Sequence, residues 1–336
     1  MKNLLYIGNN LNTKRSNVSS IKVLGPLLEK EGFNLCYASS YSNKVFRLLD
    51  MLWSCVKYRR WTQMVLLDTY STQNFYYALT VSQLCRVLHL KYIPSLNGGN
   101  LPMRLEKNPK LCGLIFNNAY KLVSPSIYLK EAFESYGYPK VFYIPNNLEL
   151  DAYRYHTKAF VKPKLLWVRS FSKIYNPQLA IHVLKLLQDD GIDAELCMVG
   201  PDSDGSLKPV KQLAKKLDVA VRITGKLPKK EWIALAKDYN IFINTTNFDN
   251  MPVSVIEAMA LGLPIVSTNV GGIPFLIEND IDGLLVPAND VYAMVNAIKR
   301  LLNNPVAAQA MAFNARQKVE QFDWEVVKHQ WFEVLQ

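Results

Sequence analysis

The residues best suited to chemistry lie in one segment, residues 248–264. This segment predicts a loop followed by a short helix, with Pro252 at the first helical position and Gly262 at the end. Backbone N–H groups at a helix start have no partner within the helix, and the helix dipole adds positive potential there. The amides near Val253 and Ser254 therefore predict a binding site for an anion such as a diphosphate.

The same helix carries one acidic side chain, Glu257, among residues that are almost all apolar. A helix that is apolar all round is buried, and a buried carboxylate requires hydrogen bonds. Helical side chains lean toward the N-terminus of their helix, so Glu257 should reach the same ligand as the free amides. Sugar hydroxyls are the natural donors for it. The alternative is a structural Glu257, paired with a nearby lysine or a backbone group.

A second polar cluster follows another predicted strand, at residues 169–177. Arg169 comes directly after the strand and offers a fixed fork for phosphate oxygens. Lys173 either binds the same phosphate or is a solvated loop charge. Gly200 and the pair Lys226–Leu227 each follow a further predicted strand, which places them at the same edge of the sheet.

The elements that must position these residues alternate between short apolar strands and amphipathic helices, the first helix capped by Ser19 or Ser20. This rhythm predicts an α/β protein with two doubly wound, parallel-sheet domains that face an interdomain cleft. We assign residues 1–155 to the first domain and 160–318 to the second. The apolar face of a helix within 320–336 is expected to pack back on the first domain. The predicted strands are 4–7, 35–38, 64–67, 92–95, 122–124, 141–144, 164–168, 195–199, 221–224, 241–244, 264–267 and 284–286.

Two loops of the first domain also follow strands and contain glycines. They are the run Gly8, Asn9 and Asn10 and the run of residues 97–100, which begins with Asn97. Glycine lets the backbone come close to a ligand, or it serves a tight turn that needs a positive φ. Both interpretations stay open for these loops.

Several of these segments resemble the GT4-type family of glycosyltransferases (group 1), which has the GT-B fold of two Rossmann-like domains. That family has Glu, seven residues and a second Glu, then Ala-Met-Ala and Gly-x-Pro. This chain has Asp249 in the first position and Glu257 in the second, followed by residues 258–264. The runs 270–274, 282–287 and 143–147 also match the family's habits.

The resemblance implies roles for these residues. Glu257 would bind the donor ribose, Asp249 the transferred sugar, and Asn97 would stand where the family often has a sugar-binding His. Arg169 and Lys173 would stabilise the diphosphate. The remaining donor-binding residues would be Asn250, Met251, Pro252, Val253, Ser254, Gly200, Lys226 and Leu227, and the acceptor-side loops would hold Gly8, Asn9, Asn10, Gly98 and Gly99.

The implied activity is that of a retaining, hexosyltransferase-type enzyme that moves a sugar from a UDP- or GDP-sugar. The acceptor would be a glycan or a lipid-linked sugar in surface polysaccharide or glycoconjugate synthesis. We recognise no metal motif and expect neither a metal nor a cofactor. Asp249, Asn97 and Tyr175 depart from the family pattern, so a catalytically impaired nucleotide-binding scaffold is one alternative. A sugar-nucleotide epimerase is another.

The composition of this 336-residue chain indicates its expected partners and cellular location. Its net charge of +11 favours anionic partners, but it has no nucleic-acid-binding signature. The five cysteines are scattered and the N-terminal apolar run is short, which predicts a cytoplasmic protein without a signal peptide or membrane span. A basic amphipathic helix within residues 44–61 would either lie on the inner face of the membrane or pack its apolar face inward.

Overall fold

The computed structural model describes residues 2–11, 19–138 and 140–336. The chain forms two compact units, Met1–Pro145 with Val327–Gln336 and Asn146–Val326. The boundary between the units thus follows Pro145, and residues 146–155 are part of the second unit rather than of the first domain as predicted. Tyr153 is fully buried in a core of the second unit, and Leu148 pairs with Asp323 of that unit.

The first unit is built on a parallel six-stranded sheet of order β2-β1-β3-β4-β5-β6. Its strands are β1 Asn3–Ile7, β2 Asn34–Ala38, β3 Met64–Thr69, β4 Tyr92–Leu96, β5 Leu122–Ser124 and β6 Val141–Tyr143. The helices in its first stretch, up to Pro145, are α1 Ser20–Lys30, α2 Lys44–Lys57, α3 Asn74–Val87, α4 Leu101–Lys107, α5 Pro109–Phe116 and α6 Ile127–Ser135. The strand order reverses between β1 and β3, which makes the carboxyl ends of these two strands a favoured place for a ligand.

The second unit contains another parallel six-stranded sheet, of order β12-β11-β10-β7-β8-β9. Its strands are β7 Lys164–Val168, β8 Glu195–Val199, β9 Val221–Gly225, β10 Ile241–Asn244, β11 Ile265–Thr268 and β12 Leu284–Val286. Its helices are α7 Pro177–Asp189, α8 Leu207–Lys216, α9 Lys229–Leu235, α10 Val253–Ala260, α11 Ile273–Leu276, α12 Val291–Asn303 and α13 Pro305–Glu320. Here the strand order reverses between β7 and β10, which makes their carboxyl ends the favoured place for a ligand.

The predicted α/β fold with two doubly wound parallel sheets is confirmed, and every predicted strand is present within two residues. The central strands, such as β3, β4 and β10, are buried on both faces, as parallel sheets covered by helices require, whereas the edge strands β2 and β9 are only partly buried. The last helix, α14 Trp324–Leu335, contributes its later turns to the first unit. There Val327, Trp331 and Val334 are buried, and Lys2 Nζ donates to Leu335 O at 2.8 Å.

Two local predictions need correction. Ser19 is the residue before α1, but its hydroxyl does not cap the helix and instead donates to Asn9 O at 2.7 Å. Pro252 lies one position before the helix rather than inside it, with an extended backbone (φ −71°, ψ 111°). The start of α10 is therefore Val253, and Gly262 ends the helix with a positive φ of 76° as expected.

Candidate active site

The switch point of the second unit gathers most of the residues predicted for the donor site. Arg169 follows β7, and the loop of residues 245–252 follows β10, the strand hydrogen-bonded to β7. Helix α10 then begins at the end of this loop. Because both strands are parallel, their carboxyl ends meet at one edge of the sheet, and Arg169 lies beside the start of α10.

Buried threonines fix the loop after β10. Thr245 Oγ1 accepts from Trp167 Nε1 at 2.9 Å and donates to Tyr175 O at 2.8 Å. Thr246 Oγ1 donates to Phe248 O at 2.8 Å. These bonds satisfy polar groups that the fold has taken out of water, so the loop holds one conformation at the edge of the sheet.

A glycine pair after β11 supports the same loop from the other side. The amide of Gly272 donates to Asp249 O at 2.9 Å. A Cβ at Gly271 would lie 2.2 Å from Asp249 O, and one at Gly272 would lie 1.9 Å from Asn250 O. Only residues without a side chain allow this approach, which explains the Gly-Gly run in physical terms.

The start of α10 presents hydrogen-bond donors without acceptors. In the described part of the chain, the amides of Val253 and Ser254 have no hydrogen-bond partner, whereas Val255 N donates to Pro252 O at 3.0 Å. Ser254 Oγ is also buried without a partner. Helix geometry leaves the first amides of a helix unpaired, and a buried hydroxyl adds a further donor at the same place. This helix start is equipped to bind an anion.

Arg169 and Asp249, both predicted site residues, contact each other. The Arg169 guanidinium forms an ion pair with the Asp249 carboxylate, and each side chain is only 14% exposed. The guanidinium also lies over the ring of Tyr175, 4.1 Å from its centroid. Tyr175, which departs from the family pattern, thus orients the arginine by a cation–π contact. In this state, Asp249 accepts from Arg169 and from its neighbour Asn250 N at 2.9 Å.

The carboxylate of Glu257 is buried and paired. Its Oε1 accepts from Tyr153 Oη at 2.6 Å and lies 2.9 Å from Lys229 Nζ. Burial and the neighbouring Glu257 charge hold the pKa of Tyr153 well above its usual value, so this phenol remains a donor. The alternative prediction for Glu257, a pairing with a nearby lysine, is therefore present in the structure. Lys229 is itself 57% exposed and free to move aside.

Sequence reasoning missed Tyr153 and Lys229 as members of this site. Tyr153 lies 104 residues before Glu257 in the chain, and Lys229 lies at the start of α9. Neither is part of the family pattern quoted above. The available signal was indirect, because a buried carboxylate requires donors and nearby tyrosines and lysines can supply them.

The other predicted donor-site residues surround this centre. Gly200 has φ 154°, and a Cβ there would lie 1.8 Å from Arg169 O. Met251 O accepts from Asn146 Nδ2 at 3.2 Å. Lys226 is exposed and Leu227 is half-buried against the core of the second unit. Lys173 is exposed and lines a cavity of about 300 Å³ beside α7.

No group of three His, Cys, Asp or Glu side chains is placed to hold a metal within the described ranges. The sequence does contain an Asp-x-Asp pair, Asp202 and Asp204, which was not among the predicted site residues. Against the opposing effect of burial, hydrogen bonds from the Ser206 hydroxyl, from Lys173 N at 2.9 Å and from Ser172 Oγ at 2.8 Å lower the pKa of Asp204 to about 2. Asp202 accepts from Gly205 N at 2.9 Å.

A second polar cluster lies at the switch point of the first unit. Asp68 at the end of β3 accepts from Tyr6 Oη at 3.1 Å and from Asn97 Nδ2 at 2.9 Å. A Cβ at Gly8 would lie 2.4 Å from Asp68 Oδ2. A Cβ at Gly98 would likewise lie 2.4 Å from the backbone nitrogen of Ser71. Neither glycine has a positive φ, so both serve the close approach of a neighbouring group to the backbone.

Asp68 is a residue that the sequence analysis did not select. Burial raises its pKa from 3.8 to about 7, against the opposing hydrogen bonds from Tyr6 and Asn97. Asn9 lies beside Asp68 and is half-buried, as are Asn10 and Gly99. A carboxylate at the end of a fully buried parallel strand is costly, and that cost was the signal that could have identified Asp68.

Two doubly wound sheets, one with an anion site at its switch point, are the architecture of nucleotide-binding α/β proteins. Residues 156–318 match the family model "Glycosyl transferases group 1". The amylovoran biosynthesis glycosyltransferase AmsK of Erwinia amylovora is 30% identical over 167 residues, 47% of this chain and 40% of AmsK. UDP-Gal:alpha-D-GlcNAc-diphosphoundecaprenol alpha-1,3-galactosyltransferase of Escherichia coli is 24% identical over 197 residues, 54% of this chain and 49% of that enzyme.

Among solved structures, Alr3699/HepE of Anabaena in complex with UDP-glucose has a TM-score of 0.79 at 15% identity, covering 100% of this chain and 99% of HepE. At this identity the likeness shows the fold, and it confirms the predicted GT-B fold. The predicted family is supported over residues 156–318, just under half of the chain, which match the group 1 glycosyltransferases. It spans about half the length, or less, of the curated relatives that it matches.

Proposed function

We propose that this chain is a retaining glycosyltransferase of the GT4 type that uses a nucleotide-sugar donor, UDP- or GDP-linked. The observation that carries the proposal is the start of α10, where the unpaired amides of Val253 and Ser254 and the unpartnered Ser254 hydroxyl lie beside Arg169. A diphosphate is the anion that fits several amides together with a guanidinium.

In this proposal, Glu257 binds the ribose hydroxyls of the donor, because its carboxylate lies on the helix whose start holds the diphosphate. Lys229 moves aside when those hydroxyls take its place. The ion pair between Arg169 and Asp249 opens in the same step, so that Arg169 binds the diphosphate and Asp249 accepts from hydroxyls of the sugar. The pairs in the unliganded site keep both carboxylates satisfied until the donor binds.

The transfer itself would proceed on one face of the sugar. The bond from the anomeric carbon to the diphosphate breaks as the bond to the acceptor oxygen forms, and the leaving diphosphate takes the proton of the acceptor hydroxyl. Arg169, Lys173 and the helix start stabilise the charge that develops on the diphosphate, a contribution that is about 3 kcal/mol for one donor in comparable sites. These groups supply positive charge without a metal, so we propose metal-independent transfer.

For the acceptor, we propose a glycan or a lipid-linked sugar in surface polysaccharide or glycoconjugate synthesis. Support comes from the names of the two relatives, one in amylovoran biosynthesis and one that acts on a diphosphoundecaprenol-linked sugar. Asn97 and the loops at Gly8 to Asn10 and Gly98 to Gly99 would contribute to acceptor and sugar binding. All five cysteines are free thiols, which fits a cytoplasmic enzyme. Within the described residues, no helix is both long and apolar enough to cross a membrane.

A panel of UDP-, GDP- and ADP-sugars tests the donor site by thermal denaturation. The correct donor, at about 100 times its dissociation constant, should add about 2.7 kcal/mol to the free energy of unfolding. Glu257→Ala should abolish this stabilisation, while Glu231→Ala, at an exposed acidic site on α9, should retain it. An unchanged shift in Glu257→Ala would remove Glu257 from the donor site.

A turnover assay separates the proposal from its alternatives. With donor and acceptor present, the enzyme should release the nucleoside diphosphate and link the sugar to the acceptor with its anomeric configuration kept, also in the presence of a chelator. Binding without release would indicate an impaired scaffold. A changed sugar that is still attached to its nucleotide would indicate an epimerase.

A further inference from the structure

Helix α2 turns an apolar face toward solvent. Its exposed side chains include Val45, Phe46, Leu49, Trp53 and Val56, with exposed fractions of 65%, 60%, 55%, 63% and 40%. At about 100° of rotation per residue, these positions fall within one arc of roughly 100°. We call this arc the α2 face. Contiguous apolar surface of this kind marks an interaction site more often than scattered apolar residues do.

The opposite side of the helix faces the core. Arg47, Met51, Ser54 and Cys55 are buried there. The sequence left open whether the apolar residues of this helix pack inward. In the structure, the residues of the α2 face are exposed and do not pack against the core. The buried side contains an arginine and a serine, so the amphipathic pattern of α2 is not explained by packing within the unit.

Exposed cations lie at the two ends of α2 and flank the α2 face, and we call them its rim. Lys44, Lys57, Arg59 and Arg60 are exposed, and none of them forms a salt bridge to another described residue. The one acidic residue in this stretch, Asp50, is half-buried. An apolar arc with a tryptophan and a rim of uncompensated cations is complementary to the surface of an anionic membrane, whose headgroups attract the cations while the acyl chains accept the apolar side chains.

We propose that the α2 face seats the first unit on a membrane that contains anionic lipids. A protein partner or a second copy of this chain would have to supply acidic groups for the cations of the rim. An anionic membrane supplies both: acyl chains for the apolar side chains of the α2 face and negatively charged headgroups for the cations of the rim. The helix would lie in the plane of the membrane, with the α2 face inserted at headgroup depth.

This surface is connected directly to the candidate acceptor-side loop. Arg47 on the buried side donates to Asn9 Oδ1 at 3.2 Å, and also to Tyr41 O at 2.8 Å and Ser42 O at 2.9 Å. Asn9, at the start of the segment that follows β1, is thereby fixed to the N-terminal end of α2. Resting on the proposed function, the inference is that the acceptor is an amphiphile, held by its lipid in the membrane on which α2 sits.

The test is sedimentation of the full-length chain with vesicles of two compositions. One is phosphatidylcholine alone, and the other is an equal mixture of phosphatidylcholine and phosphatidylglycerol. We expect the chain to sediment with the mixed vesicles and to remain in solution with the neutral ones, with binding weakened by added salt.

Two double variants separate the apolar and ionic contributions. Phe46→Ser with Trp53→Ser should weaken vesicle binding on the order of tenfold or more, because each removes an inserted side chain. Arg59→Gln with Arg60→Gln should weaken it several-fold and flatten its dependence on salt. The matched controls are Tyr292→Ser with Val306→Ser and Lys215→Gln with Lys216→Gln, at exposed positions of the second unit, and they should bind as the unmodified chain does.

The inference is overturned if the chain ignores the mixed vesicles, or if the Phe46 and Trp53 variant binds them as well as the control does. It is equally overturned if the chain dimerises in solution and this variant abolishes the dimer, since a second copy would then cover the α2 face. Donor-induced thermal stabilisation is measured on the same variants. We expect this stabilisation to be unchanged. Loss of membrane binding with an intact donor response would leave the proposed function standing. Membrane binding by a chain that no donor stabilises would refute the proposed function alone.

Discussion

The carboxylates and cations of the donor site are paired with one another before any ligand is present. Arg169 holds Asp249, and Lys229 holds Glu257. A ligand that binds here must replace each contact with one at least as favourable, because a buried charge left alone is costly. A diphosphate with adjacent hydroxyls does this for both pairs, whereas a simple anion would draw Arg169 away and leave the charge of Asp249 without a cation, with only the amide of Asn250 as a donor.

Arg169→Lys should reduce turnover by about a hundredfold, because a lysine keeps the charge but loses the planar fork and its stacking on Tyr175. The measurement is the rate of nucleoside diphosphate release at saturating donor. Tyr175→Phe retains the aromatic ring under the guanidinium and should have nearly the unmodified rate. Equal rates for Arg169→Lys and the unmodified enzyme would show that Arg169 does not contact the diphosphate.

Asp68 should make the stability of the chain depend on pH. Its pKa is raised to about 7 in the folded state, above the 3.8 of an exposed aspartate. The folded chain therefore binds an extra proton between these values, and its stability falls as pH rises from about 4 to about 7, by on the order of 4 kcal/mol.

The check on Asp68 is chemical denaturation at both ends of that range. Asp68→Asn should lose much of the decline in unfolding free energy, because the amide does not ionise. Glu106→Gln, with the same change in charge at an exposed position of the first unit, should keep it. A decline that persists unchanged in Asp68→Asn would show that this carboxyl group ionises freely in the folded protein.

At the scale of elements, the loop before α10 depends on the glycines that follow β11. Gly272→Ala would place a Cβ 1.9 Å from Asn250 O, so the loop at residues 249–252 must shift. We expect a loss of about 1–3 kcal/mol in stability and a loss of donor-induced thermal stabilisation. Gly113→Ala, inside α5, should be neutral or stabilising because alanine favours a helix. Full donor response in Gly272→Ala would mean that this loop does not shape the site.

Most of the fold could be predicted from the sequence because parallel strands buried on both faces form short apolar runs between turns and amphipathic helices. The exact start of α10 could not, since Pro252 fits equally the first helical position and the position before it. The cap of α1 failed for a different reason. Ser19 has the right type, but its hydroxyl finds a better acceptor in Asn9 O, a contact set by the fold.

The sequence predicted which residues lie in the site, but it did not predict which side chains contact one another there. Helix position identified Glu257, and strand position identified Arg169, because both are local properties. That Tyr153 donates to Glu257 and that Arg169 contacts Asp249 depend on tertiary packing over 80 residues or more. For α2, periodicity found the amphipathic helix but could not determine which side faces the core, because the buried side contains Arg47.

At the scale of the whole molecule, the two units repeat one architecture with different chemistry at their switch points. The second offers amides and a guanidinium at β7 and β10, which suits an anionic donor. The first offers Asp68 and Asn97, a neutral-to-acidic pair that suits hydroxyl groups. This difference agrees with the proposed function, in which the second unit would bind a charged donor and the first would bind hydroxyl groups of a sugar.

The most direct test of the donor site compares a nucleoside diphosphate with its nucleoside, using the base selected by the donor panel. Calorimetry should give an affinity for the diphosphate at least about a hundredfold higher, since two or more charge-assisted contacts are added. Arg169→Ala should shrink that ratio, and Glu257→Ala should weaken both ligands and leave it unchanged. Equal affinities for the two ligands, or a ratio that survives Arg169→Ala, would contradict an anion site at the start of α10.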